Sequence, residues 1–89
     1  MEYIFSKHAL DQMIRREISK EQVYSILKQS DFTGIQDAGT KVYSKLLTES
    51  SNSYLYRVFV NELKKPSVII TVYKTSKKDK YVDKIRQRS

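Results

Sequence analysis

The sequence predicts an α+β fold, with two N-terminal helices packed on one face of an antiparallel sheet of three or four strands. Three observations predict it. Apolar residues recur at helical spacing between residues 9 and 27. From residue 32 onward the pattern becomes two-residue alternation and short aromatic or β-branched runs. Short polar segments separate those runs, as in an antiparallel meander. The order is therefore strand, helix, helix, then three or four strands. Eighty-nine residues make one domain. At that size a little over ~60% of the unfolded surface can be buried, which limits the fold to two layers around one core.

EYIF (2–5) is a short apolar run that reads as an edge strand. Ser6 is placed to cap the first helix, over roughly 7–17, with Ala9, Leu10, Met13, Ile14 and Ile18 on its apolar side. Ser19 followed by Gln22 resembles a capping box and starts a second helix that ends near Gln29–Ser30. Its apolar face is Val23, Ile26 and Leu27. FTGIQ (32–36) reads as a short strand and DAG (37–39) as a turn. In TKVYSKLL (40–47), Val42, Ser44 and Leu46 alternate with Lys41, Tyr43, Lys45 and Leu47. ESSNS and NELKKP are turns around the strand YLYRVFV (54–60), and SVIITVYK (67–74) is the most apolar run. The end of the chain, KKDKYVDKIRQRS, has the pattern for a turn or two of helix. Tyr54 or Tyr56, Phe59 and Phe5 are expected in the core, and one sheet face is expected to stay bare.

The composition narrows the function. No window approaches the ~18 apolar residues of a membrane span, and the N-terminus lacks the pattern of a secretory signal. Without cysteine there is neither a disulfide framework nor a thiolate metal site. A cytoplasmic protein is expected. The net charge is +7, and residues 46–89 hold ten Lys/Arg against four Asp/Glu. That asymmetry points to a polyanionic partner, nucleic acid above all.

Several residues are candidates for a site. Arg57 lies within YLYRVFV. A charge inside a strand needs a carboxylate such as Glu62 or Asp37, a tyrosine to stack on, or an open face from which it holds phosphate. His8, the single histidine, shares a helical stripe with Gln12 and Arg15, and Asp11 is near enough to orient it. It reads as a surface residue or as a proton carrier near neutral pH. Tyr73, Lys74, Lys77, Lys78, Lys80 and Tyr81 interleave rings with cations, which suits single-stranded RNA. RNA can be cut without a metal when a base activates the 2′-hydroxyl and cations stabilise the phosphorane charge. Lys74, Tyr81 or His8 have the chemistry of the base or acid, and Arg57 and Arg16 that of the stabilisers. No acidic cluster has metal-ligand spacing, so neither metal nor cofactor is expected.

SKHALDQMIRREISKEQV resembles the opening of a bacterial family of small domains of unknown function, with the pattern Ser-x-His-Ala, Arg-Met, Arg-Gly-Ile-Ser. YRVFV and VIITVYKTSKKDKY resemble its final strands. That group is similar to the RelE/ParE/BrnT superfamily of toxins from toxin–antitoxin systems. Ser6, His8, Ala9, Met13, Arg16, Ile18 and Ser19 match the opening pattern. Gln12 stands where an arginine is usual, and Glu17 where a glycine usually ends the helix, so the turn is expected not to be a glycine cap. The resemblance implies a RelE-like fold and a metal-independent endoribonuclease toxin. It puts Arg57, Lys74 and Tyr81 in places comparable to the basic and tyrosine side chains that carry RelE-like cleavage. With His8 from the reading above they are the expected catalytic residues, and Arg15, Arg16, Tyr73, Lys77, Lys78 and Lys80 are expected to bind RNA. The implied partners are RNA, free or ribosome-bound, and a cognate antitoxin, with no membrane. A non-catalytic module that binds nucleic acid or protein, or a ParE-like gyrase poison, would be compatible with the same fold.

Overall fold

The computed structural model describes residues 3–76. Strand β1 (Tyr3–Phe5) is followed by helices α1 (Lys7–Arg15) and α2 (Lys20–Lys28). Four strands complete the chain: β2 (Phe32–Asp37), β3 (Thr40–Glu49), β4 (Asn52–Asn61) and β5 (Ser67–Thr75). The fold is α+β in the expected order, but the sheet differs from the expected one. Strands β2 to β5 form the antiparallel meander, and β1 adds a fifth strand parallel to β5. The strand order is β1-β5-β4-β3-β2. Tyr3 pairs with Ser67 and Phe5 with Ile69, so the first and last strands meet.

The helices start as their caps dictate. The Ser6 hydroxyl accepts from the Ala9 amide, and Ser19 and Gln22 form a reciprocal capping box. Helix α1 is shorter than expected and ends in a left-handed turn. Glu17 has φ 54°, the Ile18 amide donates to the Met13 carbonyl, and the Glu17 amide donates to the Ile14 carbonyl. These are the bonds of a Schellman motif, and buried Met13 and Ile18 are its apolar pair. The turn is thus not a glycine cap, yet Glu17 adopts the conformation that glycine would supply. The hairpin between β3 and β4 turns on Ser50 and Ser51, both with positive φ, which matches the right-handed strand twist.

Both helices lie on one face of the sheet. Val23, Ile26, Val58, Val60, Ile69 and Val72 are fully buried there, each burial worth about 1.5–3 kcal/mol. Ala9, Met13, Ile18 and Tyr56 complete this core, with Phe5 and Tyr54 packed against it. Phe59 does not join it. The β4 register puts Tyr56, Val58 and Val60 under the helices and Leu55, Arg57 and Phe59 on the other side. That second face is not bare either, since Val42, Ser44 and Leu55 are buried on it.

The sheet's two edges are treated differently. β1 covers β5 only from Ser67 to Ile69. Beyond that, side chains at the start, middle and end of α1 satisfy alternate residues of β5. The Ser6 hydroxyl donates to the Ile70 carbonyl (3.2 Å), Gln12 Oε1 accepts from the Val72 amide (2.9 Å), and Arg16 Nη1 donates to the Lys74 carbonyl (2.9 Å). This closes an edge that would otherwise present unpaired main-chain groups. Strand β2 forms the other edge and is exposed from Thr33 to Asp37.

Candidate nucleic-acid interface

The strand registers build one row of side chains across the second face. Phe32 pairs with Ser44, Ser44 with Arg57, and Arg57 with Tyr73. The Arg57 guanidinium lies 5.2 Å from the centre of the Phe59 ring, two residues along the same strand and face. At the β5 edge, the Arg16 guanidinium stands 5.2 Å from the centre of the Tyr73 ring. Arg16 reaches this position because it caps α1 just where the helix passes the end of β5. Its hydrogen bond to the Lys74 carbonyl fixes it beside the ring. The arrangement therefore runs cation, aromatic ring, cation from the helix end into the sheet.

Lys74 is not part of this row. Lys74, named beside Arg57 as a catalytic candidate, lies on the opposite face from it, because Lys74 pairs with Tyr56 and the two side chains point toward the helix side. There its ammonium lies 3.0 Å from Glu49 Oε1 and 4.5 Å from the centre of the Tyr54 ring. Tyr56 donates its hydroxyl proton to the other Glu49 oxygen. Burial by itself would lower the Lys74 pKa, but hydrogen bonding and charge from Glu49 and Tyr56 outweigh it and leave the pKa raised. The Tyr56 hydroxyl and the Lys74 ammonium hold the Glu49 carboxyl below its ordinary value. Burial and Glu49 push Tyr56 up. The pair with Glu49 favours the ammonium over the neutral amine that a general base uses.

His8, Asp11, Gln12, Arg15 and Arg16 line a shallow hollow on the outer side of α1. The helical stripe expected from spacing is therefore real, and Arg16 belongs both to it and to the Tyr73 row. Gln12, where the family pattern has an arginine, also holds the β5 edge. Glu62, considered as a partner for Arg57, accepts the Tyr43 hydroxyl at 2.6 Å. Burial and that bond push the Tyr43 pKa up. Lys77, Lys78, Lys80 and Tyr81 lie outside the described residues, as does the expected terminal helical turn. Among the described residues, no group of three His, Cys, Asp or Glu could hold a metal. No described helix is long and apolar enough to cross a membrane.

Sequence reasoning missed a hollow of about 340 Å³ between β2 and Arg57. Phe32, Gly34, Gln36, Val42, Ser44 and Arg57 line it, together with the intervening β2 residues. The available signal was a glycine inside the strand run FTGIQ.

A family model described as a domain of unknown function (DUF4258) matches residues 5–74. No curated protein and no solved structure matches the chain significantly.

Proposed function

The chain belongs to the DUF4258 family of domains of unknown function, and we propose that it binds single-stranded RNA across the sheet face opposite the helices. The observation that carries this reading is the Arg16–Tyr73–Arg57 row. Guanidinium groups match phosphate oxygens in a planar, two-pronged geometry. A tyrosine between them offers a stacking face to a base, and bases expose their faces only in unpaired strands. The test is fluorescence anisotropy with a labelled 12-nucleotide RNA, single-stranded and as a duplex, over a salt series. Tighter binding of the single strand, with a log–log slope of about 0.7 per phosphate contact, is expected. Tighter duplex binding, or none of either form, overturns the reading.

A second reading is a RelE-like, metal-independent endoribonuclease toxin whose row is covered by a cognate antitoxin. It is favoured by the strand–helix–helix–meander order and by Arg16, which joins the His8 hollow to the Tyr73 row. In that chemistry the 2′-oxygen loses its proton to His8 and forms a bond to phosphorus while the bond to the 5′-oxygen breaks and that oxygen takes a proton from water. The products are a 2′,3′-cyclic phosphate and a 5′-hydroxyl. Arg57 and Arg16 stabilise the charge on the non-bridging oxygens. This reading leaves Lys74 out of the proton transfers, since its ammonium is paired with Glu49 on the helix side. Incubation with RNA and ribosomes in EDTA should yield cyclic-phosphate ends that disappear in His8→Ala. Intact RNA would leave the binding reading alone.

A further inference from the structure

Gly34 is unusual for what surrounds it. It lies in the middle of β2, opposite Val42, on the same face as Phe32 and Arg57. A glycine inside a strand sacrifices side-chain packing and costs backbone entropy. Neither a positive φ nor a close contact explains it, and the register irregularity of this strand lies beyond it, between Ile35 and Asp37. Gly34 is not among the positive-φ residues, whereas Gly39 is, with φ 99°. A Cβ built at Gly34 meets no atom within 4 Å, whereas one at Gly39 would collide with Leu63. What the missing side chain provides is the empty space itself.

That space has the character of a ligand site. Its volume, about 340 Å³, falls at the lower end of the range for small-molecule pockets. Phe32 supplies a ring, Val42 an apolar contact, Gln36 an amide and Arg57 a guanidinium. Ser44, only 3% exposed, places a polar side chain against the same hollow. A flat heterocycle with polar edges matches this lining, and the adjacent guanidinium calls for an anion attached to it.

We propose that the hollow over Gly34 receives one unstacked nucleobase of the bound RNA, whose own phosphate is held by Arg57. The inference rests on the RNA-binding reading and deepens it from a backbone-binding row to a row with a base subsite. The base lies against Phe32, and the Gln36 amide and Ser44 hydroxyl meet its polar edge. Arg57 is common to the row and the hollow, so the chain of the RNA continues from this subsite toward Tyr73.

Gly34→Val tests this directly, because its Cβ meets no protein atom within 4 Å, its methyl groups take up part of the hollow, and it adds a side chain favoured in strands. The full chain and the variant are titrated with labelled hexaadenylate, hexauridylate and an abasic ribose-phosphate hexamer of equal charge. The variant is expected to lose about tenfold in affinity for at least one of the base-bearing oligomers, the scale of one lost stacking contact. Its affinity for the abasic oligomer should stay within twofold, and its melting temperature should equal or exceed that of the parent. If Gly34→Val binds all three oligomers as the parent does, the base subsite is wrong while the RNA-binding row stands. If the parent binds none of them, the row and the subsite fall together. Equal losses on the abasic oligomer would mean that the substitution disturbs Arg57 rather than excludes a base, which also overturns the subsite.

Discussion

Tyr73 and Lys74 are neighbours in the chain and lie on opposite faces of the sheet, and their surroundings differ in kind. On the helix side, Lys74 is paired with Glu49 and Lys45 with Asp31, at 3.0 and 3.8 Å. Each of these two ammoniums is matched by a carboxylate. On the other side, Arg16 rests on a tyrosine ring and a main-chain carbonyl, neither of which carries a charge. Its positive field is therefore not cancelled by its own contacts. The difference teaches that a net charge of +7 is a poor guide to where a polyanion would bind. What matters is what each cation already touches, and Arg16 and Lys74, either side of the β5 edge, touch groups of different charge.

The largest effect expected from this contrast is on RNA affinity. Arg57→Ala should weaken single-stranded RNA binding by about 1.5–3 kcal/mol, the scale of a hydrogen bond to a charged group. Lys74→Met should leave affinity within about twofold. Equal losses from the two variants, measured by anisotropy, would erase the distinction between the faces. Tyr73→Ala comes next, with about tenfold weaker binding from the lost stacking surface. Tyr56→Phe, on the helix side, should not change binding. Smaller again is a purely structural effect: Lys74→Met should lower stability by about 1 kcal/mol in urea melts, since it removes a partly exposed pair. A variant as stable as the parent would show that the Glu49 pair contributes nothing. The smallest expected change is in salt dependence, where Arg16→Ala should reduce the log–log slope by about 0.7, one phosphate contact.

The helix-side cluster also predicts a pH signature. The Glu49 carboxyl is depressed in the folded state, so its contribution is present above the unfolded value of 4.5 and disappears as pH falls through the lower folded value. Lys74 is raised, so its contribution is complete below 10.5 and disappears as pH rises through its folded value. Tyr56 is raised as well and adds to the alkaline loss. Glu49→Gln should flatten both limbs of a stability–pH profile recorded by urea denaturation. An unchanged acid limb would exclude Glu49 as its source.

Local rules made much of this legible. Ser6 and the Ser19–Gln22 box start the helices where capping chemistry places them. The alternation in residues 40–47 correctly separates Val42, Ser44 and Leu46 from Tyr43 and Lys45. The parallel pairing of β1 with β5 was not legible, because residues 3–5 and 67–69 carry no local mark of each other. Arg57 was ambiguous for a related reason. YLYRVFV is apolar on both sides, so its pattern cannot choose a face, and only the register with Ser44 and Tyr73 does. Lys74 was misplaced because a cation at a strand end looks available until its cross-strand partner, Tyr56, and the carboxylate of Glu49 are known. Gln12 stands where an arginine is usual in the family pattern, and the structure uses its amide oxygen to close the β5 edge.

The most direct test of the central claim is chemical-shift mapping of the full-length protein during titration with single-stranded RNA. The Arg57 and Arg16 Nε–H resonances and the Tyr73 ring should shift together, while Lys74, Tyr56 and Glu49 stay in place. Shifts confined to the helix side, or a spectrum unchanged by saturating RNA, would contradict the assignment of the second face as the RNA-binding surface.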